Sequence, residues 1–276
     1  MSPAYCLTLL SDFGLADGYV GVMKGVIAGI NPDLKVIDLT HQVPPQNIAH
    51  GRFVLMTAVP YFPPGTVHVA VVDPGVGGKR RAIAISIGQD VSHPLGFLVA
   101  PDNGLLSGVF CQESILSAVE LTHAQYWRTP DPSLTFHGRD IFAAVGAHLA
   151  SGVPLAEVGT PIDPKSLVRL DLPPVETVVE QGYTVLKGWV QAIDHFGNVI
   201  TTIAAGEIQG KSWSIRVNGL EIPGTTTYSD LAPNTLLALV GSHGWVEIAV
   251  NGGNAQTRLG LHWGGKVEVM FLTGDL

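Results

Sequence analysis

The sequence predicts an α/β protein: an N-terminal layered α/β domain over residues 1–165 and a smaller C-terminal all-β, barrel-like domain over 175–276, with a linker at about 153–174. Three observations predict it. In the first half, apolar runs of strand length alternate with segments whose apolar residues recur at helical spacing, the pattern of strands and helices in layers. In the second half, short β-rich runs follow one another with turn residues between them. Between the halves, five prolines (154, 161, 164, 173 and 174) interrupt a stretch with little periodicity.

Taken in order, residues 5–10 form a first strand that stops at Ser11-Asp12-Phe13-Gly14, and 19–30 a helix ended by Asn31-Pro32-Asp33. A second strand covers 34–39, and a second helix covers 48–59, stopped by Pro60, Pro63, Pro64 and Gly65. Strands at 67–72 and 82–87 flank the glycine-rich Asp73-Pro74-Gly75-Val76-Gly77-Gly78, and 97–100 gives another. The last helix of this domain spans 141–150. Beyond the linker, strands are expected at 188–193, 198–203, 212–217, 236–240, 245–250 and 266–271. In layered α/β folds, ligand loops lie beyond the carboxyl ends of strands, and Asp12, Asp73 and Asp102 all follow such ends.

Composition narrows the function classes. Of the 276 residues only 14% are charged while 46% are hydrophobic, and mean hydropathy is +0.31, so a sizeable core can form and intrinsic disorder is excluded. With 33 glycines and 19 prolines, a long helical bundle or coiled coil is excluded too. The net charge of −8 offers no footprint for phosphate backbones or anionic lipid, so no nucleic-acid or membrane partner is expected. Residues 53–72 lack a formal charge, but their central prolines break them into two core elements and a turn. No basic segment precedes the first apolar run, the first lysine being Lys24, which points to a cytoplasmic protein without a secretory signal. Cys6 and Cys111 have neither metal nor redox spacing and are expected as buried thiols.

No dinucleotide, P-loop, serine-hydrolase or zincin signature occurs. What remains is a set of polar residues in apolar or glycine-rich surroundings, each with a structural alternative. Asp12 is either a turn or N-cap aspartate or an acceptor for ribose hydroxyls. Asp73 is either part of an Asp-Pro-Gly turn or a carboxylate held by Arg80, seven residues on. His137 is a structural or a catalytic histidine, and Asp140 beside it is expected at a helix N-terminus, favoured by the dipole. Asp194-His195-Phe196-Gly197-Asn198 is a hairpin or an adenine site, since an asparagine amide matches the adenine edge and an aromatic ring stacks on it. Residues 242–244 and 250–254 look like further turns. No metal site with a recognisable ligand spacing is present.

In order, LTLLSDFGLADGYVGVMKGVI, VIDLTHQVPPQNI, VVDPGVGGKRRAIAI, APDNGLL, TFHGRDIFAAVGAHLASG, IDHFGNVITTI and GSHGWVEIAVNGGNA resemble the adenosine-forming S-adenosyl-L-methionine (SAM) hydrolases, or SAM hydroxide adenosyltransferases, relatives of the SAM-dependent fluorinase and chlorinase. The resemblance implies an N-terminal α/β domain, a β-barrel-like C-terminal domain, and a homotrimer binding SAM between neighbouring subunits, with SAM as substrate and no cofactor or metal. It implies Asp73, Arg80 and His137 as the catalytic set. The halogenases carry tyrosine where this chain has Asp73, differ at His137, and have an extra loop that is missing between Arg81 and Pro101, so water is implied over halide. The implied substrate contacts are Asp12 to the ribose; Asp17, Gly18, Tyr19 and Phe136 lining the pocket; Phe196, Asn198, Val250 and Gly252 around adenine; Asp194 and Ser242 near the methionine part; and Glu247 at adenosine. His243 stands where the halogenases have an arginine. A halogenase and a non-catalytic SAM-binding module are the alternatives.

Overall fold

The computed structural model describes residues 6–170 and 172–274, so residue 5 of the first expected strand lies outside the described residues. The chain divides into two compact units, Met1–Leu170 and Asp171–Leu276.

The first unit is built on a seven-stranded sheet of β1 (Cys6–Ser11), β2 (Lys35–Thr40), β3 (Thr66–Val71), β4 (Ala82–Ile87), β5 (Gly96–Pro101), β6 (Ile115–Glu120) and β7 (Thr160–Pro161), in the order β2-β1-β3-β5-β4-β6-β7. β1 runs parallel to β2 and β3, and β3 parallel to β5, whereas β4 is antiparallel to both its neighbours. β3 and β4 are buried at every position, which is why their sequences are continuous apolar runs rather than alternating ones. Helices α1 (Tyr19–Ile30) and α3 (Ala143–Ala150) share a core with Leu7, Leu9, Val67 and Val69 of the sheet. Helix α2 (Ile48–Ala58) starts at Asn47, whose side chain accepts the His50 N–H.

Two strands of this sheet are not marked by periodicity. β6 is only partly buried, and β7 is two residues of the proline-rich stretch that pair with Val119 and Glu120. The expected helix at 141–150 also begins differently. A π-helical turn, Gly138–Phe142, precedes α3, and Asp140 lies buried in its first turn. Cys6 and Cys111 are free thiols, but Cys111 is exposed and Cys6 half-buried, correcting the expectation that both are buried.

In the second unit every pair of neighbouring strands is antiparallel. Its strands are β8 (Glu176–Glu180), β9 (Tyr183–Ile193), β10 (Val199–Ala204), β11 (Trp213–Val217), β12 (Leu220–Pro223), β13 (Leu236–Val240), β14 (Trp245–Val250) and β15 (Lys266–Leu272). The path is β12-β11-β15-β9-β10-β14-β13, with β8 beside β9. A bridge between Gly224 and Ala238 joins the two ends, so the sheet is nearly closed into a barrel around Val190, Val199, Ile215, Ile248 and Val269. β8 and β9 form a tight hairpin through Gln181 and Gly182, both at positive φ (52° and 84°), the geometry of a two-residue primed turn. A short helix, α4 (Ala255–Leu259), is capped by Asn254 and ends at left-handed Gly260.

Candidate active site

In the first sheet the strand order reverses at β1, which has β2 on one side and β3 on the other. The crevice beyond the carboxyl ends of two such strands is where open α/β sheets bind ligands. Asp12 directly follows β1, and Asp73 follows β3 by one residue, so adjacent parallel strands deliver both carboxylates to one edge.

Asp73 and Arg80 are the two ends of the glycine-rich loop, and they close on each other. Arg80 Nε donates to both carboxylate oxygens of Asp73 at 3.0 Å, and Nη2 donates to Oδ2. The side chains are only 5% and 11% exposed, so the fork is shielded and charge-assisted. Nη2 also lies 2.7 Å from His137 Nδ1. A guanidinium has no acceptor, so Nδ1 is the accepting nitrogen, and a neutral ring then carries its proton on Nε2. Burial and then the Arg80 cation hold the imidazole below its ordinary pKa, against the opposing pull of Asp73 and Asp140. Chain turns fix this register. Gly77 has φ 72°, and a Cβ there would lie 2.2 Å from the Leu134 carbonyl oxygen, so only glycine lets the loop lie against the segment that carries His137.

Asp12 is half-buried, and its Oδ2 accepts the Gln46 N–H at 2.7 Å. Gln46 holds φ 64°, an uncommon conformation for a non-glycine residue. Asp17 and Gly18 are exposed in the turn that enters α1, Gly18 being its N-cap. Tyr19, Phe13 and Phe136 meet in a three-ring cluster with centroids 5.2 to 5.9 Å apart. Phe13 was not singled out by sequence; its position directly after Asp12 was the available signal. Asp102, the third strand-end aspartate, belongs elsewhere: it pairs with Arg81 and accepts the Val168 N–H at 2.8 Å. The adjacent arginines therefore serve different carboxylates.

In the second unit, Asp194 organises the β9–β10 hairpin. Its Oδ1 accepts the backbone N–H of Phe196 and of Asn198, at 2.9 and 2.8 Å, and Oδ2 accepts Asn198 Nδ2 at 2.9 Å. Asn198 is buried, whereas Phe196 at the tip is 71% exposed. Gly197 has φ 82°, a Cβ there would run into the side chain of Asn254, the α4 cap, and its carbonyl accepts the Gln256 N–H at 2.9 Å. This brings the hairpin beside the turn after β14 that holds Gly252, with Val250 buried at the strand end. Ser242 is exposed in the turn before β14, at the other end of that strand. Glu247, 3% exposed, accepts from Tyr228 Oη and from His243 Nε2, the latter at 3.0 Å, so each of its oxygens meets a protein side chain. Burial and then the Glu247 hydrogen bond push the Tyr228 hydroxyl well above its ordinary pKa. Among the described residues, no group of three or more His, Cys, Asp or Glu is placed to hold a metal ion, and no helix is long and apolar enough to cross a membrane.

The SAM hydroxide adenosyltransferase N-terminal domain matches residues 7–159 and the corresponding C-terminal domain residues 188–268. An (R)-S-adenosyl-L-methionine hydrolase of Salinispora tropica is 44% identical, over 98% of this chain and 99% of its own. One of Thermus thermophilus is 37% identical over 98% and 100%, and a fluorinase of Actinopolyspora mzabensis is 31% identical over 98% and 99%. The crystal structure of an uncharacterized conserved protein from Thermotoga maritima superposes with a TM-score of 0.84, at 36% identity over 95% of this chain and 99% of that one. With both domain matches in order and nearly full-length relatives above 30% identity, the chain belongs to the SAM hydroxide adenosyltransferase family.

Proposed function

We infer that the protein hydrolyses SAM, directing water at the ribose C5′ to break the C5′–S bond and release adenosine, L-methionine and a proton. The observation that carries this is the shielded chain from Asp73 through Arg80 to His137. The sulfonium departs as a neutral thioether and needs no acid, so the protein has only to place and activate the nucleophile. With Nδ1 of His137 committed to Arg80, the imidazole is a donor at Nε2, and the Asp73 carboxylate is the group with lone pairs left to accept the proton of water. Arg80 fixes Asp73 and stabilises developing hydroxide. This division of labour calls for no metal or cofactor.

The remaining roles follow the chemistry of each group. Asp12, with one oxygen on Gln46, has the other for the ribose hydroxyls. Asp17, Gly18, Tyr19 and Phe136 line the pocket. Phe196 supplies a ring face for adenine, and Asn198, whose Nδ2 gives one of its two hydrogens to Asp194, offers its carbonyl to the exocyclic amine; Val250 and Gly252 flank them. Asp194 and Ser242 take the methionine part. Glu247 acts through Tyr228 and His243. The assignment extends to a cytoplasmic homotrimer that binds SAM between neighbouring subunits and takes no nucleic-acid partner. Incubation of the purified protein with SAM, with and without chloride, tests the activity: adenosine and methionine should appear in equal amounts in both. 5′-Chloroadenosine would establish a halogenase instead, and intact bound SAM a binding module.

A further inference from the structure

The carboxylate of Asp140 takes no part in the chemistry above, yet it is a charged group at 0% exposure. It accepts from Arg139 Nε and Nη2, each at 2.7 Å, from Arg128 Nε at 2.5 Å, and from the Ser133 backbone N–H at 2.9 Å. Burial alone would raise its pKa, but the hydrogen bonds from Arg139, Arg128 and Ser133 outweigh it and hold the carboxyl well below the usual carboxylate range. Main-chain bonds close the same segment: Arg128 N–H donates to the Asp140 carbonyl at 2.9 Å, and Asp140 N–H to the Phe136 carbonyl at 3.2 Å.

One buried charge thus gathers three points of segment 128–140, which runs through Pro130 and Pro132 without a strand or helix until the helical turn that begins at His137. That segment carries Phe136 and His137. Its Leu134 carbonyl is also the atom that meets Gly77 of the glycine-rich loop, and the Arg139 guanidinium lies 5.1 Å from the centroid of the Phe136 ring. Removing the charge while keeping the shape would leave two guanidinium groups facing an amide, and the segment would lose the bonds that fold it on itself and so set where Leu134 and His137 meet the glycine-rich loop.

We propose that Asp140 is a positioning residue that locks segment 128–140 onto the glycine-rich loop and so keeps His137 in register with Arg80. Its activity readout rests on the SAM-hydrolase function inferred above. Three substitutions test it: Asp140→Asn, Arg128→Lys, which keeps the charge and loses the guanidinium geometry, and Gly77→Ala, which disturbs the same docking from the other loop. In Asp140→Asn, hydrogen exchange at the Ser133 amide should accelerate, and kcat for SAM should fall on the order of 10- to 100-fold, as displacement of a reacting group by about 1 Å can do, with KM moving less than kcat. The double variant Asp140→Asn/Gly77→Ala should lose far less than the product of the single losses, because both act on one contact. Multiplicative losses, or a folded Asp140→Asn with kcat and Ser133 exchange as in the parent, would overturn the proposal. If Asp140→Asn does not fold, Arg128→Lys decides: the same two changes, smaller in size, support the role, and neither changing refutes it. A parent protein inactive on SAM would defeat the functional inference only, since Ser133 exchange and the NMR signals of the His137 ring still decide the role of Asp140.

Discussion

Three side chains, Asp73, Arg80 and His137, form the shielded chain at the candidate site, and their types and spacing are visible in the sequence. The six residues of glycine-rich loop between Asp73 and Arg80 allow the fork that forms, and His137 is a candidate on its own chemistry. Which nitrogen of His137 meets Arg80 was not legible, since that depends on how two loops dock. Asp140 does lie in the first helical turn, where a carboxylate before a helix is expected, but nothing in the sequence says that Arg128, twelve residues back, returns to it. Asp73→Ala should lower kcat by about 10²- to 10⁴-fold, the range for loss of a general base, while calorimetry still detects SAM binding; unchanged turnover would remove Asp73 from the mechanism. The depressed pKa of His137 fixes a second outcome. Its Nδ1 accepts from Arg80 only when the ring is neutral, and the neutral form persists to lower pH than in a free imidazole, so kcat should stay flat through about pH 6.5 and fall only below it. A kcat–pH profile whose acid limb lies above pH 7 would contradict this.

Elements were legible where their apolar runs are buried on both faces, as in β3 and β4, or where a helix is closed by strong signals, as α1 is by Asn31 and Pro32. They were not where tertiary pairing alone makes the strand. β7 exists only as a partner of β6, and β8 and β12 lack the sustained apolar run that marked the others. The turn joining β9 to β10 was read both as a hairpin and as an adenine site, and Asp194 shows how one residue builds the hairpin while presenting Phe196 at its tip. Gly197 is the sensitive position of that turn. Gly197→Ala places a Cβ 2.1 Å from Asn254 at φ 82°, which should destabilise the protein by about 1–3 kcal/mol, read as a lower urea midpoint. An unchanged midpoint would mean that the hairpin and the α4 cap are not rigidly joined.

At the scale of the whole molecule, the low charge content of 14% takes on a second meaning beside that of a large core. The proposed homotrimer, by burying much of each subunit, would need fewer exposed charges, as obligate interfaces are more apolar than ordinary surface. Sedimentation equilibrium should therefore return three times the chain mass of 29.1 kDa, and a monomer at assay concentration would remove that explanation. Stability should also respond to acid in a definite direction. The Asp140 carboxyl has a lower pKa folded than unfolded, so its contribution is complete above the ordinary aspartate pKa of about 3.9 and is lost as pH falls below it toward the folded value. Whether water is the nucleophile is read by mass spectrometry of the nucleoside formed from SAM in ¹⁸O-enriched water with chloride present. Hydrolysis at C5′ puts one ¹⁸O atom into the 5′-hydroxyl of adenosine; unlabelled adenosine, 5′-chloroadenosine or unconverted SAM would contradict it.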